Sequence, residues 1–266
     1  MSTFAEATSL TAVSADGEGR TFSWEVPDGW QQGRGAYGGL PIGAMVSSVE
    51  QTDTDRPVRS VSLQLAGPAL VGSHTVRVRP IRVGSRMSTW AVSVEADEGL
   101  VATAAVITGV ARSRDEDADA PMGEGMPAAP PSDQVRVVDT PPPFPTFTQH
   151  LSFAPISGLP LSGGTPETTG WVRFREPVRP TAASLLALAD GWYTATLIPM
   201  RELRPIATVN FAATLLVDPS TLDAEEPLLH HGLVTATRDG FASEQRRLWT
   251  ADGRLAVDNL QTMAIG

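Results

Sequence analysis

Two stretches of the chain carry apolar side chains almost all the way round a helical turn. They are GGLPIGAMVSSVE at residues 38–50 and TAASLLALADGWY at residues 181–193. A helix that is apolar on every side is normally buried on every side, so each stretch predicts an enclosed helix. A short segment with strand-like alternation precedes each helix, TFSWEV at 21–26 and GWVRFRE at 170–176.

The pattern that follows each helix also repeats. VRSVSLQLAGPALVG at 58–72 parallels IATVNFAATLLVD at 206–218, and WAVSVEADEGLVATAAVITG at 90–109 parallels RRLWTADGRLAVDNLQTMAIG at 246–266. Each member of the second pair has a strand, a tight turn on Ala-Asp with a nearby glycine, and another strand. The sequence therefore predicts two units, each in the order strand, buried helix and about four strands.

An antiparallel sheet wrapped around one central helix is the hotdog arrangement, and the repeat predicts it twice. The predicted fold class is α+β, a double hotdog with two antiparallel sheets, each wrapped around a central buried helix, that pair as in a homodimer of hotdogs. We place an N-terminal hotdog domain at residues 1–112 and a C-terminal one at 147–266. Residues 113–146 between them are rich in proline, acidic and small residues, which is typical of a linker or long surface loop.

Composition excludes several classes of protein. The formal charge of −10 argues against a nucleic-acid binder, which has to neutralise phosphates. Cysteine and lysine are both absent, which excludes a thiol nucleophile, a thiolate metal site and lysine Schiff-base chemistry. No run of about 18 apolar residues predicts a membrane span, and MSTFAEATSL lacks the pattern of a signal peptide, so we predict a cytoplasmic protein.

An amide occupies an apolar face of the last predicted strand. Successive strand residues point to opposite faces, so Gln261 shares a mostly apolar face with Leu255, Val257, Asn259 and Met263. Aligning the two hairpin turns places Gln261 opposite Val106 of the first unit. Burying an amide costs free energy unless its hydrogen bonds are satisfied, so Gln261 is either a satisfied structural amide or part of a site.

The second helix and the strand after it add an acid and a hydroxyl. The helix at 181–193 is apolar but for one serine until Asp190, and no basic residue lies within one helical turn of that carboxyl. A strained carboxylate of this kind is a candidate for a functional site. Thr208 follows on the next strand, where the alignment pairs it with Ser60. The alternative is structural, with Asp190 capping backbone groups while Thr208 and Gln261 satisfy each other.

These segments resemble the acyl-CoA thioesterase II family, whose members are double hotdogs built from one chain. In the first half the resemblance lies in GAYGGLPIGAM, VRSVSLQLAGPALVG and IRVGSRMSTWAV, and in the second half in LALADGWY, IATVNF and DGRLAVDNLQT. It covers residues 21–266 apart from the proline-rich linker. The family's catalytic aspartate, threonine and glutamine match Asp190, Thr208 and Gln261.

The resemblance implies an acyl-CoA thioesterase that hydrolyses acyl-CoA to free acid and CoA without metal or cofactor. In that role Asp190 is the general base for a water that Thr208 and Gln261 orient. For the oxyanion we predict the backbone N–H groups around Gly38 and Gly39, because a helix start carries free donors and a positive dipole end.

Two further groups of basic residues leave alternatives open. Arg82 and Arg86, in the turn RVGSR, either contact the phosphates of CoA or are solvated turn residues. The four histidines lack metal-ligand spacing, so we predict surface or loop positions for them and no metal site; they are His74, His150, His230 and His231.

Two other functions remain open besides thioester hydrolysis. One is a non-catalytic acyl-CoA-binding hotdog protein, and the other is a hydratase that adds water to enoyl-CoA with an aspartate–histidine pair. No histidine is predicted on a helix or strand near Asp190. Well-known members of the family carry an acid and a histidine where this chain has Asn210 and Phe211, so the acyl group stays open. For partners we predict an acyl-CoA substrate, no nucleic acid, and a homodimer or higher homo-oligomer.

Overall fold

The computed structural model describes residues 2–112 and 125–266, which form fourteen strands and three α-helices. The first half contains α1 (Phe4–Ala7), β1 (Leu10–Asp16), β2 (Gly19–Val26), β3 (Gln31–Gln32), β4 (Gly35–Ala36), α2 (Gly39–Thr52), β5 (Val58–Leu65), β6 (Gly72–Val83), β7 (Met87–Ala96) and β8 (Gly99–Gly109). The second half contains β9 (Leu151–Ser157), β10 (Glu167–Phe174), α3 (Ala182–Gly191), β11 (Ile206–Leu215), β12 (Leu228–Arg238), β13 (Phe241–Trp249) and β14 (Leu255–Ile265). None of the helices in the described ranges is long and apolar enough to cross a membrane.

Twelve strands form one continuous antiparallel sheet. Their order is β1-β2-β6-β7-β8-β5-β11-β14-β13-β12-β10-β9, and β3 and β4 form a separate small ribbon. The two halves meet where β5 pairs with β11, with Leu63 opposite Phe211. The double hotdog is thus present, but the two predicted sheets are joined edge to edge into one. Each half would expose an unpaired strand edge at this point, and the two edges satisfy each other's backbone hydrogen bonds.

Strand register gives the correspondence between the two halves. β8 pairs with β5 as β14 pairs with β11, and β5 and β11 each carry a bulge at the same point. This register confirms Val106 as the counterpart of Gln261. It makes Val58 the counterpart of Thr208, so the predicted pairing of Thr208 with Ser60 is wrong. Aligning one hydroxyl with another shifts the strand by two residues, whereas the hydrogen bonds align bulge with bulge.

Both predicted helices are confirmed, and they are buried side by side. Every residue of α3 except Asp190 is buried, and so is most of α2. Thr181 begins α3 as the N-cap, accepting a hydrogen bond from the backbone N–H of Ser184 at 3.2 Å. One apolar core extends across both halves, and the rings of Phe4 and Phe174 meet in it at 4.8 Å.

A carboxyl near the end of each helix reaches the first turn of the other. Glu50 of α2 accepts a hydrogen bond from the backbone N–H of Ala182 at 3.1 Å, and Asp190 of α3 faces the N–H of Gly39. The helices are therefore antiparallel, and each carboxyl satisfies an N–H that has no partner within its own helix. Burial raises the pKa of Glu50 to about 7, although the N–H groups of Ala182 and Ala183 lower it.

Most of the described part of the predicted linker lies against the second half, and its last residue, Thr146, bonds to Gln31 of the first half. The indole of Trp171 donates to the carbonyl oxygen of Pro130 at 2.9 Å, and Val138 forms a β-bridge with Phe153. Residues 113–124, which begin the predicted linker, lie outside the described residues. The domain boundaries at 112 and 147 stay predictions.

Replacing Glu50 with glutamine tests the reciprocal contact between the helices. The folded pKa of about 7 lies above the ordinary value of 4.5, so the stabilisation from protonated Glu50 is complete below pH 4.5 and is lost as the pH rises through 7. Glutamine stays neutral and can still accept from Ala182. We expect the Glu50→Gln variant to gain up to about 3 kcal/mol in free energy of unfolding over wild type at about pH 8, and little at about pH 4.

Urea unfolding at the two pH values measures this difference. The control is Glu25→Gln, which removes an exposed carboxyl of β2 and should show no such trend. An advantage of Glu50→Gln that shrinks with rising pH would contradict the contact.

Candidate active site

The three polar residues predicted from the second half lie together beside α3. Thr208 and Gln261 are on the adjacent strands β11 and β14, and the hydroxyl of Thr208 donates to Oε1 of Gln261 at 3.1 Å. Both side chains, and the backbone N–H of Gly39, also lie within hydrogen-bonding reach of the Asp190 carboxyl. Gln261 is fully buried, whereas Asp190 and Thr208 keep some accessible surface. The cluster is therefore open to solvent on one side.

The pKa of Asp190 is raised above its ordinary value. Desolvation by burial is the largest cause, and the Arg246 guanidinium, the Gln261 amide, the Gly39 N–H and the Thr208 hydroxyl all oppose it. Each opposing group stabilises the ionised carboxyl. The arrangement thus places a carboxyl with a raised pKa among donors that hold its charge, as a general base requires.

A second amide fixes the orientation of Gln261. Its Nε2 donates to Oδ1 of Asn259 at 3.0 Å, and Nδ2 of Asn259 donates to the carbonyl oxygen of Ala212 at 2.9 Å. Because Asn259 engages Nε2, Oε1 of Gln261 is the atom that faces Thr208. The sequence places Asn259 on the same face of the last strand, and its polarity beside Gln261 is the signal for this role.

The start of α2 closes the site from the first half. A Cβ at Gly38 would lie 2.6 Å from Oδ2 of Asp190, and a Cβ at Gly39 would lie 2.8 Å from the carbonyl oxygen of Ala187. Only glycine allows α2 and α3 to approach this closely. The two predicted oxyanion residues are thus beside the predicted base, and the Gly39 N–H is directed at its carboxyl.

A buried hydroxyl lies on the same side of α2. The ring of Tyr37 stacks on Phe147 at 4.5 Å and on Trp30 at 5.9 Å, and its hydroxyl has no hydrogen-bond partner among the described residues. Burial, and then the charge of Asp190, raise the pKa of Tyr37 well above its ordinary value. The hydroxyl therefore stays protonated.

An ion pair that the sequence analysis did not identify lies behind Asp190. Nε of Arg246 bonds to Oε1 of Glu244 at 2.8 Å, with Arg246 3% exposed and Glu244 fully buried. Nη1 of Arg246 donates to the carbonyl oxygens of Ala189 and Asp190 at 3.3 Å and of Trp192 at 3.1 Å. The end of the acid-bearing helix is therefore held by a buried cation.

The alternation along β13 was the available signal for this pair. Ala242, Glu244, Arg246 and Leu248 are all buried, so both charges lie on the inner face of the sheet. The sequence analysis searched for a cation only within one helical turn of Asp190. Arg246 lies 56 residues further along the chain, and only the sheet brings it to the helix.

The structure does not bring Arg82 and Arg86 to this cluster. Both are exposed, at the end of β6 and in the turn after it. This turn packs at the C-terminal end of α2, where Arg56 donates to the carbonyl oxygen of Gly84 at 3.0 Å. The 14 residues of α2 span about 20 Å, so the two arginines lie at the opposite end of that helix from Gly38. Their role in binding CoA stays a prediction.

The prediction of surface or loop positions is wrong for two histidines. His74 on β6 is 4% exposed, and His230 on β12 is fully buried and stacks on Trp192 at 5.1 Å. A histidine therefore does lie on a strand near the end of α3, contrary to expectation. Burial, and then the charge of Arg246, lower the pKa of His230 well below its ordinary value, so the ring is neutral. His230 is not among the groups that shift the pKa of Asp190.

Within residues 2–112 and 125–266, no group of three or more His, Cys, Asp or Glu side chains is arranged to hold a metal ion. The hydrogen-bonding and charged groups of the site are those of Asp190, Thr208 and Gln261 and the N–H of Gly39. These groups can bind and deprotonate a water beside a helix start that offers backbone donors.

Solved structures similar to this chain share its double hotdog. A conserved protein of unknown function with a hot dog fold from Alicyclobacillus acidocaldarius has a TM-score of 0.89 and 23% identity, over 99% of this chain and 97% of that one. A putative thioesterase II from Thermobifida fusca has a TM-score of 0.80 and 21% identity, over 100% and 98%. An acyl-CoA thioesterase II, TesB2, from Mycobacterium marinum has a TM-score of 0.77 and 18% identity, over 99% and 98%. The double hotdog is thereby confirmed.

Family models identify both halves of the chain. The acyl-CoA thioesterase N-terminal domain matches residues 26–109, and the acyl-CoA thioesterase C-terminal domain matches residues 116–265. A comparison with curated proteins finds no match. Because the C-terminal model alone matches more than half of the chain, the chain belongs to the acyl-CoA thioesterase family and is a thioester hydrolase.

Proposed function

We propose that the chain hydrolyses acyl-CoA to a free carboxylic acid and CoA, with a water activated by Asp190, Thr208 and Gln261. The observation that carries this proposal is the convergence of the three side chains. They come from one helix and two adjacent strands, and they meet at the Asp190 carboxyl beside the start of α2. No covalent nucleophile is needed, since water itself attacks the thioester.

The reaction follows from the acceptors and donors at this point. Asp190 takes a proton from the water as its oxygen attacks the thioester carbonyl carbon, which forms a tetrahedral oxyanion. The oxyanion then collapses, the carbon–sulfur bond breaks, and the thiolate of CoA leaves and takes up a proton. Thr208 and Gln261 hold the water by hydrogen bonds, and Asn259 keeps the Gln261 amide in one orientation.

The backbone N–H groups of Gly38 and Gly39 supply the donors for the oxyanion. They lie at the N-terminus of α2, where N–H groups lack helical partners and the helix dipole is positive. The missing Cβ of Gly38 lets the start of α2 approach the Asp190 carboxyl closely, so that both lie beside one reacting thioester. The Gly39 N–H, which faces Asp190 in the free protein, is the donor that a bound carbonyl oxygen shares with it.

Thiol release from short, medium and long acyl-CoAs tests the proposed residues. We expect kcat to fall by about 10²-fold or more in Asp190→Asn, which removes the base, and less steeply in Gln261→Ala and Thr208→Ala. Acyl-CoA binding should persist in all three variants because the base acts in the chemical step. The control is Gln64→Ala, an exposed amide on β5, which should keep wild-type turnover.

The results separate hydrolysis from simple binding. Full turnover in folded Asp190→Asn would remove that residue from the mechanism. Saturable binding of every acyl-CoA by wild type, with no thiol release, would instead favour the non-catalytic acyl-CoA-binding protein.

Replacing Gly38 with alanine tests the close approach of the α2 start to the Asp190 carboxyl. Its Cβ would lie 2.6 Å from Oδ2 of Asp190, so the carboxyl has to move. We expect Gly38→Ala to lower kcat by about 10²-fold, since a misplacement of about 1 Å has that effect. Gly17→Ala, at a turn glycine with nothing near its Cβ position, is the matched control. Equal kcat in the two variants would show that the position of the Asp190 carboxyl beside Gly38 does not matter for turnover.

A further inference from the structure

Five polar positions on the inner face of the second half have apolar counterparts in the first half, although the first half has a buried polar group of its own at Asp53, Ser88 and Thr108. Strand register pairs five polar residues of the second half with apolar ones of the first: Thr208 with Val58, Glu244 with Trp90, Arg246 with Val92, Asn259 with Ala104, and Gln261 with Val106. The same unit therefore folds with apolar side chains at all five positions. Since burying a glutamate and an arginine has a desolvation cost, their presence in one half requires a reason other than the fold.

The charged pair joins β13 to the chain on both sides of the end of α3. Arg246 donates to the last carbonyl groups of α3, where a cation also interacts favourably with the negative end of the helix dipole. The second oxygen of Glu244 accepts from the hydroxyl of Thr194 and from the backbone N–H of Ala195, the latter at 3.1 Å. The segment that carries the Asp190 carboxyl is thus bonded to β13 before and after its turn.

We propose that Arg246 is a positioning residue for Asp190. It fixes the end of α3 through the carbonyl groups and favours the ionised form of the carboxyl, which a general base needs, while Glu244 holds the guanidinium in place. This inference rests on the proposed function, in which Asp190 takes the proton from water.

The charges around Asp190 support this role. Arg246 comes first among the groups that lower the pKa of Asp190, and among the described groups that act on it Arg246 is the one cation. Tyr37 is protonated and His230 is neutral, because burial shifts the pKa of each away from its charged form. Glu244, which bonds to the guanidinium, is the acid that partly offsets its charge.

The pH dependence of kcat/KM tests the proposal. The double variant Glu244→Gln/Arg246→Met removes both charges of the ion pair, so neither Glu244 nor Arg246 is left buried without its partner. Since Arg246 lowers the pKa of Asp190, its loss should move the acidic limb of the profile up by about one pH unit or more. On that limb kcat/KM then falls by about tenfold, and part of the loss is recovered at higher pH.

Single variants separate charge from position. Arg246→Lys keeps the charge but cannot hold Glu244 and three carbonyl groups at once. The acidic limb of its kcat/KM profile should therefore stay at the wild-type pH, while the plateau value of kcat/KM falls. Glu244→Gln leaves the guanidinium charge without its partner, so the acidic limb of kcat/KM should move to lower pH. Arg247→Met removes a cation from the opposite face of β13, and its limb should match wild type.

Each outcome decides a specific point. If the double variant and Glu244→Gln lower the plateau without moving the limb, Arg246 has only a structural role and the inference is overturned. A limb that moves in the opposite direction in either variant also overturns it. Asp190→Asn in the same assay tests the proposed function separately. Wild-type turnover there overturns that function, whereas an inactive Asp190→Asn with an unmoved limb in the double variant overturns only the role of Arg246.

Discussion

The reciprocal contact between the two buried helices is the constraint on which the rest of the structure depends. Each helix is short of partners for its first N–H groups, and each finds one in a carboxyl at the end of the other. The contact requires antiparallel helices whose ends lie level. The two strands that follow the helices, β5 and β11, pair antiparallel at the centre of the one sheet. The carboxyl of the candidate base Asp190 and the joint between the halves are thus parts of one arrangement.

The two halves share one fold and differ in the polarity of matching positions on the inner face of the sheet. At the matching positions of the first half, Val92 and Val106 are apolar, and Trp90 adds one indole N–H that donates to Asp53 at 3.2 Å. Their counterparts are two charges and an amide, and each unsatisfied buried polar group would cost about 1–3 kcal/mol. Instead, the added groups bond to each other and to the backbone around α3. The polar residues at these positions of the second half therefore all have hydrogen-bond partners.

Local patterns predicted much of this arrangement, and long-range contacts account for what they missed. Apolar runs predicted both helices, and the repeat predicted the Gln261–Val106 correspondence. The joining of the sheets and the bulge in β11, which decides the counterpart of Thr208, depend on pairing between strands far apart in sequence. Arg246 and His230 were missed for the same reason, since their burial comes from the position of β12 and β13 in the sheet.

Both helices carry an acid at this contact, and the comparison shows what distinguishes a candidate base from a structural carboxyl. Glu50 has two backbone N–H groups to oppose its desolvation, and its pKa stands at about 7. Asp190 has one N–H, a hydroxyl, an amide and a guanidinium. A carboxyl at the end of a buried helix thus comes with the fold, because the facing helix needs an acceptor. In the proposed function Asp190 takes a proton from water, and what distinguishes it from Glu50 is the set of donors on β11 and β14 and the cation of β13.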